Sequence, residues 1–374
     1  MPAAGSVAVI GGGIAGFATA ILLAEAGVAV DLVEAQPDVL ALGSGITLQG
    51  NALRVLRRLG IWDGVQRAGY AFDTLGLRAP DGTLLAELPD ARTGGTELPA
   101  TVGMYRPDLA ALLTKRAAAV GVRIRTGTRP TALAQDTTGV DVIFSDGVRG
   151  RFDLVVGADG VRSWTREAVG VRLRTEPVGM GIWRAFTRRP ESVTRTDLYY
   201  GGASHIAGYC PTGADSLYAY IVEDAQDRSG LDAGERLATL RDLASHYHGP
   251  WDEIRAALTD PARVNYTWFE FHLLDGPWHR GRVVLIGDAV HCCPPTLAQG
   301  AAQALEDAAV LAELLLAADE VGDGLWAEFT ARRLDRARSV VDASVQLCRW
   351  LLAGERGDVP GLMAGISERV AVPA

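Results

Sequence analysis

The sequence predicts an α/β fold: a Rossmann-like nucleotide-binding domain interleaved with a smaller β-sheet domain, followed by C-terminal helices. Three stretches carry that expectation. Val7 to Ile10 runs into Gly11-Gly12-Gly13-Ile14-Ala15-Gly16 and a helical segment. Leu154 to Val156 runs into Gly157-Ala158-Asp159-Gly160. Val283 to Ile286 runs into Gly287-Asp288 and, past a Pro-rich loop, a helix opening at Gln299-Gly300. Each strand is apolar throughout, as strands buried on both faces are. The chain therefore visits one core three times, and the intervening residues must build a second unit.

The first visit is a G-x-G-x-x-G pattern in its required strand–turn–helix context. A second strand, Val28 to Val33, ends in Glu34. Gly11 permits the tight turn, Gly13 admits a pyrophosphate to the backbone, and Gly16 allows close helix–strand packing. Glu34 can hold a ribose hydroxyl. The pattern predicts a dinucleotide site without separating FAD from NAD. At the third visit Asp288 lies at the carboxyl end of a strand, where open α/β sheets bind ligands. It can accept hydrogen bonds from a polyol, and the free N–H groups opening the next helix can face an anionic or electron-rich ring.

The other elements follow in order. Gly43-Ser44-Gly45-Ile46-Thr47-Leu48 reads as a Gly-rich loop before a helix from about Asn51 to Leu59. Residues 71–103 read as strands and turns, with Asp81-Gly82 a hairpin turn. Arg106-Pro107 opens a helix, Pro107 suiting its first turn. Arg106 is either a surface charge or a phosphate contact. Residues 122–156 alternate, with a hairpin signal at Asp146-Gly147. Residues 177–223 give several strands, 232–258 a helical region broken at Gly249-Pro250, and Asn265 to His272 an aromatic-rich strand. A last helical region spans Leu325 to Leu352.

Composition bounds the function. The 374 residues carry a net charge of −9, 48% hydrophobic and 22% charged residues, which suits a globular protein and favours neither nucleic acid nor an anionic membrane surface. No apolar run reaches the roughly 20 residues of a membrane helix. The first ten residues lack a basic segment, so no secretion signal is expected and a cytoplasmic setting is. Cys210, Cys292, Cys293 and Cys348 form no C-x-x-C pair, so no metal site is expected.

The three motifs together resemble the single-component FAD-dependent aromatic hydroxylases, the group of 4-hydroxybenzoate and salicylate hydroxylases. They match in order: Gly11 to Gly16, DLVVGADGVRSWTR over Asp153 to Arg166, and Gly287-Asp288. The resemblance implies a FAD-binding domain of residues 1–70, 104–175 and 281–324, a substrate domain of 71–103 and 176–280, and a C-terminal helical region of 325–374. It implies non-covalent FAD, with NADH or NADPH as a transient co-substrate. The nicotinamide would reduce FAD, O2 would form a C4a-hydroperoxide, and an electron-rich aromatic or heteroaromatic ring would be hydroxylated. Asp288 would bind the ribityl chain, Asp159 would serve both FAD and the nicotinamide, and Arg106 would sit near the phosphates or ribityl. Gly11, Gly13, Ile14, Ala15, Gly16 and Glu34 would complete the nucleotide site. Pro295, Leu297, Gly300 and Ala301 would join it from the third visit. Partners would be a small aromatic substrate and O2, with the chain a monomer or homodimer.

A narrower similarity to salicylate, 3-hydroxybenzoate and 6-hydroxynicotinate hydroxylases rests on His291, Pro295 and Leu297-Ala298-Gln299-Gly300, and on His205 and Tyr209 four apart in a strand. Positions four apart share a face, so both could line one pocket. His205 would ease removal of a phenol proton and Tyr209 would orient the ring. The plain alternative has His205 satisfied elsewhere and Tyr209 packed in a core. His291 is either catalytic or a structural loop residue. Thr47, Thr296, Phe271-His272 and Gly50 depart from the family's usual residues and leave the substrate open. A tailoring oxygenase for a larger metabolite and a non-catalytic flavin-binding protein are the alternatives. A nicotinamide dehydrogenase would leave the two later motifs unexplained, and a halogenase would need a Trp-x-Trp motif that the chain lacks.

Overall fold

Residues 2–38 and 45–374 are described in the computed structural model. The apolar strands of the three visits lie side by side. A six-stranded sheet runs His279–Arg280, Val283–Leu285, Leu154–Gly157, Ser6–Ile10, Ala29–Val33, Arg123–Arg125, all neighbours parallel except the first pair. Ser6–Ile10 sits in its middle, and Val7, Ala8 and Val9 have no exposed surface. Helices Ile14–Glu25 and Gly300–Ala317 pack on this sheet and on each other, forming one core with Phe17, Ile21, Leu305 and Leu311.

The intervening residues build an eight-stranded sheet. Its order is His291–Cys292, Val264–Leu273, Glu176–Arg188, Ser216–Asp224, Ile206–Pro211, Thr196–Tyr199, Thr74–Arg78, Leu84–Pro89. Its outer face is covered by helices Ala233–Ala244 and Pro250–Ala257, which bury Trp183, Tyr199, Tyr209, Tyr247 and Trp251. The first of these helices opens on a reciprocal cap, Asp232 accepting from the Glu235 N–H at 2.8 Å and Glu235 from the Asp232 N–H at 2.8 Å. His291–Cys292 pairs with Val264–Leu273, so the third visit ties the two large sheets together.

The Gly-rich loop expected at Gly43 to Leu48 is corrected in part. Gly43 and Ser44 lie outside the described residues, but Gly45–Gln49 is a strand pairing with Thr101–Tyr105, which also takes Tyr70–Phe72. Tertiary pairing overrides glycine's low strand preference. This small sheet lies against the inner face of the eight-stranded one: a Cβ on Gly45 would fall 2.5 Å from the Tyr218 Cβ, and one on Gly103 2.5 Å from the Cys210 Sγ. Only glycine allows that approach. The C-terminal region is a long helix, Asp323–Ala353, and a further helix, Val359–Ala371, whose Ile366 and Val370 pack on Val340 and Leu347.

Candidate active site

The glycine fingerprint folds as its chemistry requires. Gly11 has φ +109°, and a Cβ there would lie 2.4 Å from the Ala158 carbonyl oxygen, so the first and second visits touch through this residue. A Cβ on Gly16 would strike the Gly11 oxygen at 2.0 Å, whereas one on Gly13 would meet nothing within 4 Å. Gly13 thus presents bare backbone at the start of a helix that no side chain caps. Glu34 accepts from the Gly12 and Gln36 N–H groups, both at 2.7 Å. These bonds fix its carboxylate beside the turn.

The second visit uses its acid internally. Asp159 accepts from the Ser163 hydroxyl, from the Thr165 N–H at 2.8 Å and from the Thr165 hydroxyl at 2.9 Å. Ser163 in turn caps the short helix Trp164–Ala168 by accepting from the Arg166 N–H at 2.9 Å. The carboxylate builds its own loop. Arg166, buried in that loop, reaches across and donates to the Ala289 carbonyl at 2.8 Å.

The third visit is arranged in the opposite way. Three successive backbones are pinned by buried side chains from elsewhere. The Gly287 N–H donates to Asp307 at 2.8 Å, the Asp288 carbonyl accepts from His272 Nε2 at 2.9 Å, and the Ala289 carbonyl accepts from Arg166. A carbonyl only accepts, so His272 carries its proton on Nε2 and takes a bond from the Thr175 hydroxyl at 2.8 Å on Nδ1. Burial, with Arg166 and His291 nearby, lowers the His272 pKa to about 4 despite the bond to Asp288. The Asp288 side chain itself has no hydrogen-bond partner among the described residues and is exposed. Desolvation by the protein around it pushes its carboxyl above the ordinary range, against the pull of His291 and Arg106.

Asp307 anchors a buried polar cluster that sequence reading missed. His291 Nε2 donates to it at 2.6 Å and Arg333 Nε at 2.7 Å. Burial alone would raise its carboxyl, but His291 and Arg333 outweigh that and hold it below the usual range. Beside it Glu306 accepts from Arg336 twice at 2.7 Å, from Arg333 at 3.1 Å and from Asn51 at 3.1 Å. Asn51 and Gln303 both donate to Gln299, whose own amide donates to Gln49. The cluster fixes the start of Gly300–Ala317, where Gly300 and Ala301 are half-exposed and no side chain caps the helix. His291 thereby helps to hold the loop. The available signal was two acids, Glu306-Asp307, inside an Ala/Leu-rich helix, and Arg333 and Arg336 three apart in the next one.

Pro295–Leu297 forms a tight turn before Ala298, the one non-glycine residue with positive φ (52°) among the described residues. Pro295 is exposed, while Leu297 is buried against Val340 and Leu347 and supports the turn from behind. Arg106 is exposed at the first position of Arg106–Ala119, and its charge is felt at both Asp288 and Tyr218. Among the described residues it has no hydrogen-bond or ion-pair partner.

Tyr209 is corrected. It points to the helix-covered outer face, packs with Tyr199 and Trp251, and donates to Asp197 at 2.7 Å. Arg78 and Arg195 hold that carboxylate at 2.6 and 3.0 Å. His205 stands at the head of the strand, bonded to Asp224 at 2.9 Å. Tyr209 therefore does not share a substrate pocket with His205 as expected, and the inner face of this strand carries Ile206, Gly208 and Cys210 instead.

The glycine cradle, the two uncapped helix starts and the unpartnered Asp288 carboxylate fit a dinucleotide with a polyol arm. Comparison with known proteins names it. The FAD binding domain family matches residues 5–344. The chain belongs to the FAD-dependent monooxygenases. It is 32% identical over 352 residues to the putative FAD-dependent monooxygenase YetM of Bacillus subtilis, covering 93% of this chain and 94% of that one. It is 33% identical over 324 residues to 2-heptyl-3-hydroxy-4(1H)-quinolone synthase of Pseudomonas aeruginosa, covering 83% and 80%. Among solved structures, 2-methyl-3-hydroxypyridine-5-carboxylic acid oxygenase superposes with a TM-score of 0.81 at 26% identity, covering 97% and 95%. This monooxygenase therefore uses FAD, and among the described residues no helix is long and apolar enough to cross a membrane.

Proposed function

We propose that the enzyme hydroxylates an electron-rich aromatic or heteroaromatic ring held between the Gly-Asp loop and the inner face of the eight-stranded sheet. NADH or NADPH and O2 serve as co-substrates. The observation that carries the reading is the free Asp288 carboxylate on a loop pinned at Gly287, Asp288 and Ala289, beside the uncapped Gly300–Ala301 turn. Two similar proteins named for heteroaromatic compounds, a quinolone and a pyridine, support it.

Gly11, Gly13, Ile14, Ala15 and Gly16 would hold the pyrophosphate, Glu34 the ribose, and Asp288 the ribityl hydroxyls. The N–H groups of Gly300 and Ala301 would face the ring system, with Pro295 and Leu297 shaping the turn and Arg106 balancing charge. A flavin held there would supply the redox chemistry, hydride acceptance from the nicotinamide cofactor and activation of O2 for transfer to a ring carbon. Ile182, Ile206, Val222 and Phe269 of the inner face form an apolar cluster with Cys348 of the long helix, which would help to keep water from the ring. Asp159 would reach the cofactors only with whatever acceptor capacity Ser163 and Thr165 leave.

Attachment is non-covalent in this reading. Burial, reinforced by Asp288, pushes the Cys292 and Cys293 thiols up, Cys293 to about 12, so neither is a ready thiolate. The four free cysteines suit a reducing, cytoplasmic setting, with the chain a monomer or homodimer. The test follows NAD(P)H and O2 consumption with product analysis over hydroxybenzoates, aminohydroxybenzoates, hydroxypyridines and quinolones. An oxygenated ring from at least one of these is expected. Nicotinamide oxidation yielding only H2O2 with every ring would overturn the reading.

A further inference from the structure

We infer that the outer face of the eight-stranded sheet carries a second binding site, built on Arg236 and Trp268, for a planar aromatic ring bearing one carboxylate or phosphate. The site is separate from the Gly-Asp loop and stands independently of the proposed function. Its place follows from side-chain alternation in Val264–Leu273. Tyr266 packs on Trp183 with ring centroids 4.8 Å apart, and Trp183 lies under the covering helices. Trp268, two residues on, shares that outer face. Thr267 between them accepts from Arg184, which also reaches the inner-face Tyr218. A groove of about 480 Å³ opens between this strand, the turn of residues 227–229 and helix Ala233–Ala244. That volume is in the range of small-molecule sites.

Arg236 supplies the charge. It is half-buried, and its Nη1 donates to the Leu231 carbonyl at 2.9 Å. Its Nε is enclosed without a partner, and its Nη2 makes no hydrogen bond among the described residues. The other charges of the groove are already committed. Arg228 pairs at 2.9 Å with Glu223, which also accepts from Trp183 Nε1 at 2.9 Å. Asp227 accepts from the Ser229 N–H at 3.0 Å and the Ser229 hydroxyl at 2.6 Å. Among the described residues Arg236 has no carboxylate in bridging range. A half-buried cation without a counter-charge is costly, and an anion that docks on it recovers part of that cost.

Trp268 supplies the ring surface. It is 48% exposed, although tryptophan is mostly buried in folded proteins. Its Nε1 donates to the Gln226 carbonyl at 2.8 Å, and the Gln226 N–H donates to the Tyr266 hydroxyl at 2.9 Å. Gln226 thus holds both rings by their polar edges. The indole is fixed while much of its apolar surface stays open, so a ligand ring meets a surface that needs no reordering. Arg236 and Trp268 line the same groove. A flat ring gains by stacking on the indole, and only a ring that also carries a negative group gains from the guanidinium.

The test is fluorine NMR of the FAD-loaded enzyme labelled with 5-fluorotryptophan. The chain has eight tryptophans, and the Trp268 resonance is the one that disappears in Trp268→Phe. The probes are two matched pairs, benzoate against benzamide and adenosine monophosphate against adenosine. At least one anion should shift the Trp268 resonance saturably and bind roughly tenfold more tightly than its neutral partner, the low end of a charge-assisted hydrogen bond. A response to benzoate assigns an aromatic acid, and a response to the nucleotide alone assigns a phosphate-bearing ring. Arg236→Gln should bring the anion down to the affinity of its neutral partner, and Arg236→Lys should keep part of the preference. No saturable shift with either anion overturns the inference. Equal binding of anion and neutral partner in the wild type overturns it without any variant, and so does an Arg236→Gln protein that keeps the anion preference.

Discussion

The Asp-Gly loop at Asp159 and the Gly-Asp loop at Asp288 are near mirror images in sequence and opposites in construction. Asp159 spends its carboxylate on Ser163 and Thr165, so the acid is part of the loop's own framework. Asp288 spends nothing. Its loop is held from outside by Asp307, His272 and Arg166, each bonding a different backbone position. The difference teaches that an acid kept free for a ligand requires other residues to do the loop-holding that it would otherwise do. Those residues are charged or polar, buried and far away in sequence.

The largest expected effect comes from removing the outside support. Asp307→Ala leaves buried Arg333 with Glu306 as its remaining carboxylate, strands His291 Nε2 without its acceptor and frees the Gly287 N–H. Breaking a buried pair this way costs about 3–5 kcal/mol, so chemical denaturation should show a loss of that size. An unchanged denaturation midpoint would show that the cluster does not hold the loop.

His272 gives the next effect, and it depends on pH. Its folded pKa of about 4 lies below the ordinary 6.5, so the unfolded chain binds more protons in acid. Its contribution is fully present above pH 6.5 and is lost as pH falls toward 4, up to about 3 kcal/mol at 1.36 kcal/mol per pKa unit. His272→Gln should flatten the stability profile over that window. A profile as steep as the wild type's would contradict the neutral buried histidine.

Asp159→Ala should follow with a loss of about 1–3 kcal/mol, because the Thr165 N–H and hydroxyl are buried and would lose their acceptor. A stability equal to wild type would mean that the loop does not depend on its own acid.

The sequence made both acids visible and could not rank them. Gly11, Gly13, Gly16 and Glu34 were legible because a tight turn and a ribose acceptor constrain neighbours close in sequence. Ser163 and Thr165 were equally close, and a capping reading of Asp159 was within reach. Asp307, Arg333 and Arg336 were not, since their partners lie across two helices. Tyr209 shows a different limit. A spacing of four fixes a shared strand face but does not say which one. Ile206–Pro211 is buried at every position, so it lacks the polar–apolar alternation that marks the outward side. The helices packed over Tyr209 supplied what periodicity could not.

Asp288→Ala should have the smallest effect on the fold, within about 0.5 kcal/mol for an exposed side chain that bonds nothing in the protein. Its effect belongs to the ligand. Measured on flavin-free protein, the melting temperature should match wild type. In the same preparation FAD should bind roughly ten- to a hundredfold more weakly, as the loss of a charged acceptor implies. Wild-type FAD affinity together with a lowered melting temperature would contradict the account, because Asp288 would then hold its loop rather than the cofactor.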